Sequence, residues 1–81
     1  MKVVKKDKKL KSKIQYNIGV GLYQLKKFDD AGNAFNKAIK GDKQYVQAIY
    51  SLGLTQIELE KLSSAEASFR KVLRFDSTHA E

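Results

Sequence analysis

Apolar residues recur at steps of three and four along almost the whole chain, the period of one face of an α-helix. Val3, Leu10, Ile14, Ile18, Leu22 and Leu25 follow at spacings of seven, four, four, four and three, which predicts a first helix over about 5–26 with this stripe turned to the core. Phe28, Ala31, Ala34, Phe35, Ala38 and Ile39 predict a second helix over about 29–40. Ile49, Leu52, Gln56 and Leu59 mark a third over about 43–59, and Leu62, Ala65, Phe69, Val72 and Leu73 a fourth over about 63–75. The ends carry stop and start chemistry. Asp29 is placed to accept hydrogen bonds from the free amides of the second helix, Gly41 to stop it and Asp42 to cap the third. Ser63 with Glu66 reads as a capping box for the fourth. Asp76 then stands where Asp42 stood, at the expected start of a further helix of which residues 80–81 would be the beginning; on this reading the chain is a piece cut from a longer array.

The pattern is stated twice. Residues 12–45 laid over 46–79 without a gap give eight identities: Tyr16/Tyr50, Gly19/Gly53, Leu25/Leu59, Lys27/Lys61, Ala31/Ala65, Phe35/Phe69, Lys37/Lys71 and Asp42/Asp76. Ile18/Leu52, Val20/Leu54, Phe28/Leu62, Ala38/Val72, Ile39/Leu73 and Lys40/Arg74 keep their chemistry. A fixed period of this size is the mark of stacked structural repeats. Gly19 and Gly53 remove side chains where a neighbouring helix should cross, and Ala31 and Ala65 are the matching small residues expected opposite them. Two small surfaces allow helix axes to approach to about 8–9 Å. Phe35 and Phe69 are then placed to fill the space between one helix pair and the next.

With a glycine in the first helix, Ala-x3-Phe in the second and a period of 34, both units resemble the tetratricopeptide repeat. The departures are Gln15 and Ile49 in the aromatic slot, Leu22 and Gln56 in the tyrosine slot, and Lys43 and Ser77 in the proline slot. The resemblance implies an all-α fold of two antiparallel helix-turn-helix hairpins stacked as a short right-handed solenoid. Residues 1–11 would be a basic extension of the first helix, 12–45 the first repeat and 46–79 the second. It also implies a non-enzymatic scaffold that binds a peptide or partner protein on the concave face lined by the first helix of each pair. The residues there that avoid the core stripe are Lys13, Tyr16, Asn17, Val20 and Gln24, with Gln47, Tyr50, Ser51, Leu54 and Glu58 as their counterparts. Tyr16 and Tyr50, one repeat apart, offer a ladder of apolar area with a hydroxyl at low rotamer cost. The plainer alternative is that both rings simply pack against adjacent helices. A carboxylate clamp of the kind some family members use is not expected, because its slots hold Tyr16, Val20 and Ser51.

Composition narrows the classes further. Eighty-one residues allow one small domain, and 42% hydrophobic content suits a packed core rather than a disordered chain. No cysteine is present, so disulfides and thiolate chemistry are out of reach. No apolar run approaches the ~20 residues that span a bilayer. The lysine-rich start lacks the apolar centre of a signal peptide, which leaves the cytoplasm as the default expectation. The net charge of +7 is uneven, since residues 1–13 hold seven lysines against Asp7 while the remainder is nearly neutral. That arm suggests a second function, an electrostatic tether to nucleic acid or anionic membrane. It has neither arginine nor aromatic residues, so base reading and stacking are not available to it. Catalysis finds no foothold. His79 is the sole histidine, Gly19-Val20-Gly21 falls in mid-helix without a following Gly-Lys-Ser/Thr, and no metal-ligand spacing occurs, so no cofactor is expected. With Phe69, Val72, Leu73 and Phe75 at one end and Val3, Val4 and Leu10 at the other, apolar faces are left uncovered, and association into a homo-oligomer is expected.

Overall fold

The computed structural model describes the backbone of residues 3–77 and the side chains of 7–75. Expectations that fall on the Val3, Val4, Asp76, Ser77 and His79 side chains therefore lie outside the described residues. Four helices follow in order: α1 (Val3–Gln24), α2 (Phe28–Gly41), α3 (Val46–Glu58) and α4 (Leu62–Ser77). Consecutive helices run antiparallel and pack pairwise, α1 on α2 and α3 on α4, with α2 against α3 joining the pairs.

The two hairpin turns are built alike. Lys26 and Glu60, one repeat apart, take the left-handed conformation at φ 62° and 61°. In the first turn the Lys26 amide donates to Tyr23 O (2.9 Å) and the Lys27 amide to Leu22 O (2.9 Å); in the second, Glu60 donates to Ile57 O (2.9 Å) and Lys61 to Gln56 O (2.8 Å). This is the Schellman pattern, which satisfies the last carbonyls of a helix. Glycine is the usual residue at its left-handed position, and neither turn has one.

The expected caps are corrected. α2 begins at Phe28, so Asp29 and Asp30 lie inside its first turn, favouring the positive end of the helix dipole without capping it. Asp42 does not cap α3, which begins at Val46. Its carboxylate instead accepts from the Gln44 amide (3.3 Å) and its carbonyl from the Tyr45 amide (3.1 Å), organising the turn between the repeats. α4 starts one residue earlier than expected, so Ser63 is inside the helix, and Glu66 pairs with Arg70 (2.8 Å) rather than closing a capping box. α4 also continues to Ser77, which places Asp76 in this helix and not at the head of another.

The core is built from small residues around one aromatic ring. Ala31, Ala34, Phe35 and Ala38 of α2, Ala48, Ile49 and Leu52 of α3, and Ala65 of α4 are buried. Gln56, read as inward-facing, is half-buried, and its amide oxygen accepts from Ser68 Oγ at 2.8 Å. Thr55, fully buried, donates its hydroxyl to Ser51 O one turn earlier (2.8 Å), so its methyl alone faces the packing. The glycines serve the crossing differently from expectation. A Cβ added at Gly19 would stand 2.5 Å from Phe35 Cε1, and one at Gly53 would stand 2.6 Å from Phe69 Cε1. Each glycine makes room for the ring of its own hairpin rather than for the alanine. Phe35 also clusters with Leu52, so it joins the hairpins as well.

α1 departs most from its pattern. Leu10, Ile14, Ile18 and Leu25, read as its core stripe, are all exposed. The face turned to the core instead combines the small residues Ser12 and Gly19 with the partly buried Tyr16, Val20, Leu22 and Tyr23, so that Leu22 alone of the described stripe points inward. Ser12 is buried against Gly41, so closely that a side chain on Gly41 would collide with the serine hydroxyl. That hydroxyl has no hydrogen-bond partner. An unpaired buried hydroxyl costs about 1–3 kcal/mol and alanine is the better helix former. Ser12→Ala is therefore expected to raise stability by about 1 kcal/mol in a denaturant titration, and a loss of stability would contradict this packing.

Candidate interaction site

A depression of about 310 Å³ opens on the α1/α3 side, lined by Tyr16, Val20, Tyr23, Gln24, Phe35, Ser51 and Leu54. Helical spacing explains how α1 supplies four of these. Residues 16, 20, 23 and 24 stand three or four apart on one face. α3 supplies Ser51 and Leu54 as the far wall, and Phe35 of α2 is the floor. The aromatic contacts fix the walls: Tyr16 lies 5.9 Å from Phe35 and 5.3 Å from Tyr45, and Tyr23 meets Phe28 edge-on at 5.2 Å, between centroids. Among the described residues, no carboxylate, lysine or arginine lines the depression.

The expected contact residues divide into two groups. Tyr16, Val20, Gln24, Ser51 and Leu54 come together in this depression. Lys13, Asn17, Gln47 and Glu58 are exposed on α1 and α3 outside it. Tyr50 is 49% exposed and rests on Phe69 at 5.6 Å, repeating the Tyr16–Phe35 contact. The two tyrosines thus both pack on a phenylalanine, and among the described residues only Tyr16 is also covered, by Tyr45 at the start of α3. The sequence reading missed Tyr23 and the floor role of Phe35. Tyr23 follows Tyr16 by seven residues, two helical turns, and that spacing was the available signal.

Tyr45 is held above the ordinary tyrosine pKa of 10.0, first by burial, then by the neighbouring Tyr16 and Asp42. A raised folded pKa means that the fold favours the neutral phenol. The associated stability is fully present below pH 10.0 and is lost as pH rises through the folded value. In an absorbance titration, the phenol signal lost on Tyr45→Phe is expected to be centred above pH 10.0; a difference curve centred at or below pH 10.0 would refute it.

A second feature is electrostatic. Because the helices alternate in direction, the start of α1, the end of α2, the start of α3 and the end of α4 share one edge. Lys8, Lys11, Lys37, Lys40 and Lys43 surround one depression there, beside Ser12 and Gly41. An adjoining one shares Lys40 and Lys43 and adds Lys71 and Arg74. Among the described residues, no carboxylate lines either. The repeat body, nearly neutral in sum, thus adds its own lysines to those of the arm, while Asp29, Asp30, Glu58 and Glu60 lie at the opposite edge.

The residues matched by a family model described as Tetratricopeptide repeat are 12–45 and 46–79. The chain belongs to the tetratricopeptide repeat family. A search of the curated proteins gave no match. Tetratricopeptide repeats generally mediate protein–protein interaction, as non-enzymatic scaffolds. Gly19-Val20-Gly21 lies within α1. Among the described residues, no group of three or more His, Cys, Asp or Glu is placed to hold a metal ion, and no helix is long and apolar enough to cross a membrane.

Proposed function

We propose that this tetratricopeptide chain binds an extended, largely uncharged peptide segment of a partner protein along the α1/α3 face. One apolar side chain of the ligand would be anchored between Tyr16, Val20, Tyr23 and Leu54. The observation that carries this is the lining of the depression: four apolar or aromatic walls, a phenylalanine floor, and only Gln24 and Ser51 as uncharged polar groups. Such a lining favours an apolar anchor with a few directional hydrogen bonds and desolvates a charged one at a loss. Tyr50, exposed beyond the depression, extends the surface along the ligand, with Asn17, Lys13 and Gln47 at its rim.

The test is selection of peptides from a random library on the whole chain, followed by affinity measurement on variants. Selected peptides should share an apolar residue. Leu54→Asp, at a half-buried wall, is expected to weaken binding at least ~10-fold while helical content is kept, and Tyr50→Ala to weaken it less. Peptides rich in charge, or affinity indifferent to Leu54→Asp, would place the ligand elsewhere.

The lysine edge favours a second reading, an electrostatic contact with a polyanion such as nucleic acid or anionic membrane. It reaches past the arm, because Lys37, Lys40 and Lys43 lie in the repeat body. Reversing these three charges should then abolish binding to heparin or DNA, with affinity falling steeply as salt rises. Retention of binding in that variant would leave the arm alone responsible.

A further inference from the structure

The junction between the hairpins is made once inside the chain, and both of its halves occur again on the outside. Inside, α2 packs on α3. A Cβ added at Gly32 would stand 3.7 Å from Thr55 Cγ2 and 3.9 Å from Leu52 Cδ1, while Phe35 and Ile39 cluster with Leu52. One repeat further on, α4 carries Glu66, Phe69 and Leu73 at the positions of Gly32, Phe35 and Ile39. One repeat back, α1 carries Ile18 and Gly21 at the positions of Leu52 and Thr55. Among the described residues these outer counterparts are largely uncovered: Ile18 is 45% and Leu73 68% exposed, Phe69 is half-buried, and Ile14 and Leu25 of α1 are exposed like Ile18.

Gly21 makes the correspondence specific. It lies within α1, where glycine weakens a helix, and a Cβ added there would meet nothing within 4 Å. Among the described residues nothing uses the space it leaves. In the internal junction the small residue is Gly32 on α2 and the larger one Thr55 on α3. On the outer faces the order is reversed, with Glu66 on α4 and Gly21 on α1. The exchange keeps one small residue at the crossing and gives the Glu66 stem a place to lie.

We propose that copies of this chain associate head to tail, α4 of one against α1 of the next, in the register of the internal α2–α3 junction. The contact is heterologous, so it leaves one free end of each kind and propagates. It also completes a site. Tyr50, Leu54, Ile57 and Phe69 repeat Tyr16, Val20, Tyr23 and Phe35, but lack the far wall that Ser51 and Leu54 give the first depression. Asn17 and Val20 of the next copy occupy those positions, so each junction builds a second depression. Only this last step rests on the proposed peptide groove; the association itself needs no ligand.

Sedimentation velocity on the full chain over a wide concentration range, without peptide, tests the association apart from the groove. The expected result is a mass that rises with concentration and passes beyond a dimer. Ile18→Asp and Leu73→Asp, both at exposed positions, each block one half of the contact. Each variant alone should remain a single chain, and their mixture should form a one-to-one pair through the two intact halves. Gly21→Glu should raise the melting temperature of the single chain and abolish assembly. A single chain at all concentrations would overturn the proposal and leave these faces to a different partner. So would failure of the two aspartate variants to pair, or self-association of either one, which marks a symmetric contact. Assembly undisturbed by Gly21→Glu would overturn the register.

Discussion

Gly19→Leu is expected to cost about 3 kcal/mol or more, at the upper end of overpacking effects, and Gly53→Leu distinctly less. Both glycines occupy the same place in their repeats, and an added Cβ at either would press on a phenylalanine ring. At Gly19 it would stand 2.5, 2.7 and 2.9 Å from Phe35 Cε1, Cδ1 and Cζ; at Gly53, 2.6, 2.8 and 3.0 Å from Phe69 Cε1, Cζ and Cδ1. The difference lies in whether the ring can yield. Phe35 is 1% exposed, walled by α1, α2 and α3, and has no direction to move. Phe69 is half-buried on the outer face of α4 and can swing towards solvent. A domain of this size holds about 4–12 kcal/mol in total, so Gly19→Leu should lower the melting temperature severely. Thermal melts followed by circular dichroism decide it. Equal losses at the two sites, or tolerance of leucine at Gly19, would contradict the packing.

How far the sequence announced this arrangement depends on which physical signal each element carries. The repeat, the helix count and the buried face of α2 were legible, because Ala31, Ala34, Phe35 and Ala38 follow the helical period and are truly inward. α1 was misread by the same rule. Of its described stripe, Leu10, Ile14, Ile18 and Leu25 are exposed and Leu22 alone packs inward, beside Tyr16, Val20 and Tyr23. The close contact with α2 also needs Ser12 and Gly19, which no hydrophobicity pattern marks. The caps failed for a related reason. Asp29, Asp42 and Ser63 have capping chemistry, but the helix starts were fixed one to four residues away by the turns. The two turns within the hairpins rely on left-handed Lys26 and Glu60, whose conformation goes with the Schellman bonds rather than being signalled by glycine. At the candidate site, Tyr16, Val20, Gln24, Ser51 and Leu54, read as avoiding the core stripe on the face the family resemblance implies, line one depression. The lysine edge was only half visible: Lys37, Lys40 and Lys43 join Lys8 and Lys11 through antiparallel packing, which a linear charge count does not see.

Phe35→Ala is expected to cost about 3–5 kcal/mol, the usual range for emptying a fully buried aromatic site. The ring touches Gly19, Tyr16 and Leu52, so its removal leaves a hole where both hairpins meet. Collapse is hindered, because the alanines around it have no longer side chains to move in. Phe69→Ala should cost less, since part of that ring already faces solvent. The contact between glycine and ring is then isolated by combining substitutions. In Gly19→Leu/Phe35→Ala the new leucine enters the space the ring vacates, so the two losses should not add. The double variant is expected to be more stable than the sum of the singles by about 1–3 kcal/mol, the coupling of residues that share one volume. Gly53→Leu combined with Phe35→Ala is the control, and those losses should add, because Gly53 faces Phe69 instead. Phe35 is also the floor of the depression, so Phe35→Ala should weaken peptide binding even under conditions where the chain stays folded, whereas Phe69→Ala should spare it. Strict additivity at Gly19 and Phe35 would mean that the glycine is not there to admit the ring, and the account of why both repeats keep this pair would fail.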